Sequence, residues 1–434
     1  MPLKYFITTF GCQMNKSDSE RVASVLEKMG YKSASKENEA NLILVNMCSV
    51  RQSAVDRVYG LLPKFKKLKT KNKNYLKTVL TGCILNTDRK KFGKEFDLIL
   101  EIKDLPNWPK HLKPKTPVIP RRSPLFNGSC YSNAEPRYSN NFSAFVPISR
   151  GCNNFCAYCV VPFTRGALVC RDYKEILEEV KKVTKQGFKE IWLLGQNVND
   201  YHSPTDSSTD FPKLLKMVND IPGNFWIRFT SPNPKDFLPE LIDVMNGSKK
   251  ITEYLNLPVQ SGDNKILKKM NRGYTAQKYK NLVKKIREKI PEICLSTDII
   301  VGFPDETKKQ FENTAKLFKE IKFDMAYIAQ YSPRPGTMAV KMEDNIPPKE
   351  KKRRWEILAR ILKKTALKKN KKYIGRTLEV LVEAEQRGYL RGKTRNYKTI
   401  KFRGPENLIS QFVKVKIIDV ASFGLKGKFI ELLN

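Results

Sequence analysis

The sequence contains no long hydrophobic stretch, although hydrophobic residues make up 40% of its 434 residues. No apolar run reaches the roughly 18 residues of a membrane-spanning helix, so we expect no membrane partner. The first residues lead directly into a strand pattern and lack the features of a signal peptide. We therefore expect a cytoplasmic protein. In that reducing compartment, the nine cysteines indicate metal or redox chemistry rather than disulfides.

Histidine and acidic residues are both scarce. The two histidines, His111 and His202, are not near the closely spaced cysteines, and zinc normally takes a fourth Cys or His nearby. Against 81 Lys and Arg stand 44 Asp and Glu, which gives a formal net charge of +37. This excess favours a polyanionic partner, with nucleic acid as the first choice. The alternative is a general bias toward lysine on ordinary solvated helix faces.

Three cysteines lie close together at Cys152, Cys156 and Cys159, with the spacing C-x3-C-x2-C. Thiolates on one short loop can converge on a soft metal centre, and they are the usual ligands of iron–sulfur clusters. A closed cluster needs four such ligands, so three leave one iron open to a reactant. A zinc site or a chance grouping of cysteines is the alternative.

Three further cysteines, Cys12, Cys48 and Cys83, each follow a predicted strand. In a parallel sheet all carboxyl ends lie on one edge, where open α/β sheets place their ligands. We therefore expect a second three-cysteine site there. The alternative is three buried structural cysteines, a common fate of free Cys. No motif surrounds the remaining cysteines, which we interpret as incidental: Cys130, Cys170 and Cys294.

The N-terminal part, residues 1–118, alternates between strand and helix patterns and predicts a parallel α/β domain. Its first helix is expected to begin at a capping box formed by Ser17 and Glu20. Residues 119–137 belong to a proline-rich stretch with little periodicity and are interpreted as a linker.

Residues 138–370 repeat the order strand, loop, helix. The six predicted strands are 144–149, 191–195, 225–229, 254–259, 295–301 and 325–331. Strands recurring at roughly 30–45 residues are βα units of a parallel sheet, and six of them form an incomplete (β/α)6 barrel. Such barrels place their site at the carboxyl ends of the strands. The Cys152–Cys159 loop follows the first strand and falls at that face.

The last part of the chain is basic. Residues 349–372 hold twelve Lys and Arg against two Glu and predict an amphipathic helix, either a solvated connector or one that faces RNA. Residues 371–434 show about five short strands and predict a small OB-like β-barrel, a shape that often binds single-stranded nucleic acid. Its loop 392–398 is expected to contact RNA through Arg395, Tyr397 and Lys398. A purely structural cap is the alternative.

Several short motifs carry a resemblance to a known family. They are the Cys152 loop and residues 11–15 (GCQMN), 162–166 (PFTRG), 194–198 (LGQNV), 257–262 (LPVQSG), 297–304 (TDIIVGFP), 331–337 (YSPRPGT) and 392–394 (GKT). In order and context they resemble the radical S-adenosylmethionine (radical SAM) methylthiotransferases over nearly the whole chain. The GCQMN start is most similar to members acting on N(6)-dimethylallyladenosine in tRNA. Relatives acting on threonylcarbamoyladenosine, or on a ribosomal protein aspartate, usually carry other residues after the first Cys.

The resemblance implies an enzyme that methylthiolates carbon 2 of that adenosine next to the tRNA anticodon. It implies a 4Fe–4S radical SAM cluster on Cys152, Cys156 and Cys159, an auxiliary 4Fe–4S cluster on Cys12, Cys48 and Cys83, and SAM near Tyr158, Gly195 and Gln196. One SAM would methylate sulfur, and a second would yield the radical that removes the carbon 2 hydrogen. An electron donor, a sulfur source, a monomeric state and a C-terminal RNA-binding TRAM domain are implied as well.

Two residues depart from the family pattern, which often has His where this chain has Asn233 and Asn256. Neither is an implied cluster ligand, so the implied class is unchanged. The sequence leaves open two functions of another class. One is a non-enzymatic RNA-binding iron–sulfur protein, which would need no open iron. The other is an electron carrier, whose cluster loop normally supplies all four Cys.

Overall fold

Three groups of elements follow one another along the chain in this computed structural model, which describes residues 3–71, 76–112 and 134–433. Most of the expected linker, residues 119–133, lies outside the described residues, as does Cys130. The domain limits at residues 118, 137 and 370 stay predictions. In the part of the chain that the structure describes, no helix is long and apolar enough to cross a membrane.

The first group is a five-stranded parallel sheet with the order β2-β1-β3-β4-β5. Its elements are β1 (Lys4–Phe10), α1 (Gln13–Lys28), β2 (Lys32–Ser33), β3 (Leu42–Cys48), α2 (Gln52–Lys71), β4 (Lys77–Cys83), α3 (Asn86–Phe92), β5 (Leu98–Ile99) and α4 (Trp108–His111). Alternate residues of β3 face opposite sides, because side chains alternate along a strand. Leu42 and Leu44 pack with α1, and Ile43 and Val45 pack with α2. Every residue of β3 is buried, as expected for a sheet covered on both faces.

Helix α1 begins at Gln13, four residues before the expected capping box, so that prediction is wrong. Both polar side chains are buried inside the helix and contact the next domain instead. Ser17 Oγ donates to the carbonyl of Phe145 at 3.1 Å, and Glu20 accepts from the hydroxyl of Ser139 at 2.7 Å. The pattern was that of a helix start, but the side chains serve an interface between domains.

The second group forms two three-stranded parallel sheets, β10-β9-β6 and β11-β12-β13. Its strands are β6 (Ser143–Pro147), β7 (Ser149–Arg150), β8 (Val169–Cys170), β9 (Glu190–Leu194), β10 (Trp226–Phe229), β11 (Tyr254–Asn256), β12 (Cys294–Val301) and β13 (Met325–Gln330). Its helices are α5 (Val161–Arg165), α6 (Tyr173–Lys185), α7 (Phe211–Asn219), α8 (Pro239–Gly247), α9 (Asn264–Lys269), α10 (Ala276–Lys289), α11 (Lys308–Ile321) and α12 (Pro348–Asn370). A single bridge from Ile227 of β10 to Ile251, just before β11, joins the two sheets into an incomplete barrel, and a bridge from Gln260 to Ile299 extends the pairing of the β11 segment with β12. The predicted α/β class and barrel are confirmed.

The predicted basic helix corresponds to α12, which packs against β13 and α11. Leu358 and Leu362 on its apolar face belong to the barrel core. The helix is therefore a wall of the barrel beside the edge strand β13, not a solvated connector.

The third group is a closed five-stranded barrel with the order β14-β15-β16-β18-β17, as expected for the C-terminal part. Its strands are β14 (Thr377–Gln386), β15 (Tyr389–Thr394), β16 (Thr399–Phe402), β17 (Phe412–Ala421) and β18 (Gly424–Leu432). Apolar side chains of all five strands fill its interior.

The loop expected to contact RNA instead fixes this small barrel to the larger one. Arg395 pairs with Glu253 at 2.9 Å, and Lys398 pairs with Asp324 at 2.8 Å. The ring of Tyr397 packs against two aromatic rings of the larger barrel, those of Trp192 and Tyr254. The expectation of RNA contact by these three side chains is wrong, and the cap interpretation describes this loop. Basic and aromatic residues suit RNA, but they suit an acidic, aromatic neighbouring domain equally well.

Candidate active site

The loop with Cys152, Cys156 and Cys159, here called the first triad, follows β7 at the carboxyl end of the barrel strands. Gly151 starts it with a φ of +78°, and a Cβ there would lie 2.0 Å from the carbonyl oxygen of Ala167, so only glycine fits. Within the loop, the Ala157 amide donates to the carbonyl of Met270 at 3.0 Å. The backbone thus fixes the three cysteines in one tight turn.

The three thiols of the first triad are close enough to influence one another. Burial, together with the neighbouring thiols of Cys156 and Cys152, raises the pKa of Cys159 to about 12. Burial also raises the pKa of Cys152. Arg272 donates from Nη1 to the sulfur of Cys156 at 3.2 Å. Without a metal the thiols of Cys152 and Cys159 therefore hold their protons, so metal binding would release them.

The second triad consists of Cys12, Cys48 and Cys83. Cys12 is the N-cap of α1, and the other two end β3 and β4, where they are register partners. The hydrogen bond with the thiol of Cys83 lowers the pKa of Cys48, and the charge of Cys12 acts on it in the opposite direction. As predicted, the sheet topology brings the three strand ends together. Their role as cluster ligands stays a prediction.

The donor chemistry of both triads fits iron–sulfur clusters. Each offers three thiols, and His111 and His202 belong to neither triad. Across residues 3–71, 76–112 and 134–433, no three Cys, His, Asp or Glu side chains are placed to hold a single metal ion. Thiolates without nitrogen or carboxylate ligands are the typical set for iron–sulfur centres.

Arg165, the last residue of α5, reaches from the barrel domain to the second triad. Its Nε donates to the sulfur of Cys83 at 2.9 Å, and its Nη2 lies 2.7 Å from Oδ2 of Asp18. Both charged side chains are buried. Arg165 follows Cys159 by six residues, so a segment of the barrel reaches directly into the second triad.

Our sequence reasoning missed the two arginines that contact the triads, Arg165 and Arg272. Arg165 lies in the PFTRG motif, residues 162–166. The contacts join residues 82 and 116 positions apart, so local sequence patterns carry no sign of them. A buried arginine beside a thiolate-rich site is nevertheless physically reasonable, because its permanent charge favours the thiolate form.

A cavity of about 1070 Å³ borders the first triad and the segment that follows Cys48 of the second triad. Cys159 and Tyr158 line it from the first triad, and Arg51 lines it three residues after Cys48. Further lining residues come from β12, β13, α12 and the small barrel, so all three groups of elements contribute. Three exposed aromatic side chains stand at its rim, with exposed fractions of 46%, 39% and 50%: Tyr327, Trp355 and Phe423.

Of the three residues expected near SAM, one lines the large cavity and two lie outside its lining. Tyr158 lines the large cavity, and burial raises the pKa of its phenol well above the usual range. Gln196 lies behind the loop and accepts the amide hydrogen of Gly151 at 2.6 Å. A Cβ at Gly195 would come within 2.8 Å of the hydroxyl of Ser149, so this position needs glycine. Contact of these three residues with SAM stays a prediction.

The two asparagines that depart from the family pattern both make specific polar contacts. The side-chain oxygen of Asn233 accepts from Nη2 of Arg272 at 3.3 Å. Asn256 donates to Asp298 at 3.1 Å and accepts from the hydroxyl of Ser296 at 2.9 Å. Asn233 thus steadies the arginine on the first triad, while Asn256 holds a carboxylate that lines the cavity.

Comparison with known proteins identifies the family to which this chain belongs. Family models match in succession: the uncharacterized protein family UPF0004 over residues 4–101, the Radical SAM superfamily over residues 146–318 and the TRAM domain over residues 371–430. The tRNA-2-methylthio-N(6)-dimethylallyladenosine synthase of Clostridium botulinum (strain Langeland) is 42% identical over 440 residues, which cover 98% of this chain and 97% of that one. This chain belongs to the tRNA-2-methylthio-N(6)-dimethylallyladenosine synthase family. A synthase of that name from Acetivibrio thermocellus is 40% identical, covering 98% and 91%.

A solved structure supports the fold assignment. The radical S-adenosylmethionine methyltransferase TsrM from Kitasatospora setae has a TM-score of 0.52 and 13% identity, covering 78% of this chain and 77% of that one. At this identity the likeness concerns the fold. Membership of the synthase family makes this chain a radical SAM enzyme, which implies SAM and a 4Fe–4S cluster as cofactors.

Proposed function

We propose that this enzyme methylthiolates carbon 2 of N(6)-dimethylallyladenosine next to the tRNA anticodon, giving 2-methylthio-N(6)-dimethylallyladenosine. The observation that carries the proposal is a cavity lined both by Cys159 of the first triad and by residues 50–53, which follow Cys48 of the second triad. Radical formation and sulfur donation need separate centres, and one substrate atom has to reach both of them. The names of the relatives, 40–42% identical over nearly their whole length, support the choice of substrate.

In this proposal each triad holds one 4Fe–4S cluster. The first triad has the spacing of the radical SAM loop, and the second supplies the auxiliary cluster. When bound, the cofactors supply the radical that removes the carbon 2 hydrogen and the sulfur that replaces it, with two SAM molecules used per product. Tyr158, Gly195 and Gln196 are the proposed SAM contacts.

The protein's own contribution is placement, charge and exclusion of water. Arg272 brings a permanent positive charge to the sulfur of Cys156. Arg165 does so at Cys83, where it opposes the hydrogen bond with Cys48 and the burial that raise the pKa of Cys83. Rings of Tyr327, Trp355 and Phe423 at the rim offer faces on which RNA bases stack. The cavity walls keep water from a reactive radical and orient the adenine between the two centres.

The proposal also specifies partners and location. The substrate is tRNA, and turnover requires an electron donor and a sulfur source that renews the auxiliary cluster. Because the substrate is cytoplasmic tRNA, we place the protein in the cytoplasm. We expect it to act as a monomer, since each chain carries both triads and the complete cavity.

Mass spectrometry of tRNA nucleosides tests the substrate. In a strain lacking this protein, 2-methylthio-N(6)-dimethylallyladenosine should disappear from tRNA. Its precursor, N(6)-dimethylallyladenosine without the methylthio group, should accumulate. The intact gene should restore the product, whereas a Cys152→Ala variant should not. Loss of a different methylthio nucleoside, or no change in tRNA, would contradict the proposal.

A further inference from the structure

A second cavity, of about 600 Å³, lies at the opposite ends of the barrel strands from the first triad. Cys294, the first residue of β12, lines it together with the C-terminal half of α12 and parts of α10 and α11. The cavity of about 1070 Å³ beside the first triad, here called the active cavity, is lined by the carboxyl half of β12, from Asp298 to Ile300. The two cavities are therefore separate sites.

The lining of the second cavity is unusually basic. Eight of its sixteen lining residues are Lys or Arg, and two are acidic. The chain as a whole has 81 Lys and Arg among 434 residues, which would place about three in a set of sixteen. A general bias toward lysine therefore does not account for this lining.

Both acidic residues of the cavity already have basic partners. Asp324 contacts Lys369 and lies 2.8 Å from Lys398, and Glu292 lies 3.3 Å from Arg376. Within the described parts of the chain, Lys364, Lys368 and Lys372 have no carboxylate within 4.0 Å. Most of the positive charge in the cavity is therefore not neutralised by the protein itself.

The geometry of α12 concentrates this charge. Lys364 and Lys368 lie four residues apart on one helix face, and Lys372 continues that spacing into the following turn. Like charges at this spacing repel and destabilise a helix. Arg287 adds a guanidinium that, among the described residues, donates to the carbonyls of Ile321 and Lys322. Such an arrangement suits a bound anion that offsets the repulsion.

We infer that this second cavity binds phosphate groups, carried either by an RNA backbone or by a small polyphosphate. Arg and Lys together are the usual phosphate ligands, through paired hydrogen bonds and point charges respectively. Asp298 lies four residues after Cys294 along β12, which is about 13 Å at the rise of a β-strand. RNA with one base in the active cavity could therefore reach the second cavity with a nearby phosphate. The inference holds whether or not the chain methylthiolates tRNA.

The test replaces three lysines of the cavity in the full-length protein, as Lys364→Gln, Lys368→Gln and Lys372→Gln. A matched control makes the same charge change at three exposed lysines outside it, Lys278, Lys285 and Lys308. Tripolyphosphate binding is measured by calorimetry, and tRNA binding is measured across a series of salt concentrations. Melting temperatures and iron content verify that the variants fold, and Lys368→Gln alone serves if the triple variant does not.

The cavity variant should bind tripolyphosphate at least about tenfold more weakly than the control. If RNA phosphates use the cavity, the slope of log affinity against log salt should also fall by about two to three relative to the control. Loss of tripolyphosphate binding with an unchanged tRNA slope would identify a small polyphosphate as the ligand. Equal binding of both probes by the cavity variant and the control would overturn the inference. Failure of methylthiolation alone would not affect it.

Discussion

The two cysteine triads are built in different ways. The first comes from eight consecutive residues, 152–159, and a glycine turn sets its geometry. The second spans residues 12–83, and the register of β3 with β4 places two of its thiols side by side. A loop can thus encode a site through the spacing of its ligand residues alone. A site on a sheet edge exists only when several strands have paired correctly.

The triads also differ in the source of their arginine. Arg272 comes from the same barrel as Cys156, whereas Arg165 comes from the barrel and contacts Cys83 in the N-terminal sheet. Damage at the first triad should therefore remain local. Damage at the second should involve the contact between two domains. The following predictions probe this difference, from the largest effect to the smallest.

Removing the whole first triad should have the largest effect. With Cys152, Cys156 and Cys159 all changed to Ala, iron in anaerobically reconstituted protein should fall from about eight to about four per chain, because one of two clusters is lost. SAM cleavage should stop completely. Iron analysis and chromatography of 5′-deoxyadenosine measure the two outcomes. Unchanged iron in this variant would refute the ligand assignment.

Cys48→Ala should separate the two triads by function. The first triad and its loop do not involve this residue, so reduced protein should still cleave SAM. Methylthio product should be absent, because the second triad is incomplete. Both products are measured in one reaction with tRNA, and Cys170→Ala serves as the control. A wild-type rate of methylthiolation by Cys48→Ala would disprove the role of the second triad.

Arg165→Gln tests the contact between the domains. The Arg165–Asp18 pair is buried on both sides, and breaking such a pair by removing one partner costs about 3 kcal/mol or more. We expect a lower free energy of unfolding in urea and loss of iron from the second triad. Arg272→Gln is the matched variant, and its iron loss should be confined to the first triad. The same iron loss in both variants would mean that the arginines do not serve separate sites.

Phe423→Ala tests the rim of the large cavity beside the first triad. Base stacking on an aromatic side chain contributes about 1–3 kcal/mol, so tRNA affinity should fall while SAM cleavage is unchanged. Ile418→Ala removes another exposed apolar side chain of the same small barrel and is the control. Filter binding at fixed salt measures both. Equal affinities of the two variants would remove Phe423 from the substrate site.

The smallest predicted effect concerns acid stability where the small barrel meets the larger one. Burial alone would raise the pKa of Asp324, but Lys398 and Lys369 outweigh it and hold that pKa below its usual range. A lowered carboxyl pKa stabilises the fold above about pH 4, and this stability is lost as pH falls through the folded pKa. Each pKa unit is worth about 1.4 kcal/mol.

Asp324→Asn should remove the pH-dependent contribution that this carboxylate makes to the free energy of unfolding. Chemical unfolding of both proteins between about pH 2 and pH 6 gives the comparison. The difference in stability between wild type and variant should be largest near pH 6 and should shrink toward pH 2. A difference that does not change with pH would show that Asp324 is not held ionised by its lysines.

The six barrel strands could be predicted to within three residues at each end, because buried parallel strands are short apolar runs between turn signals. The start of α1 could not, since Ser17 and Glu20 form contacts with a distant domain. The RNA-contact prediction for Tyr397 failed for a similar reason. A sequence shows the chemical type of a side chain, but only the folded chain shows which surface it meets.

For the candidate site, spacing and strand order indicated all six cysteines, and the structure brings them together as two groups. The arginines could not be predicted, because their contacts cross from one element to another over long sequence separations. The second, basic cavity also escaped prediction. Its charge comes from residues of α10, α11 and α12 and from the segments that follow α11 and α12, which only the folded chain brings together.

The rim of the active cavity, which is built from three different parts of the fold, has an evolutionary consequence. The residues that would carry the chemistry sit on strand ends and one loop, whereas Tyr327, Trp355 and Phe423 belong to an edge strand, a helix and a separate barrel. Substitutions at the rim can therefore change which substrate enters without disturbing either triad. In such an architecture a lineage can acquire a new substrate through a few surface changes, while the reaction itself is inherited intact.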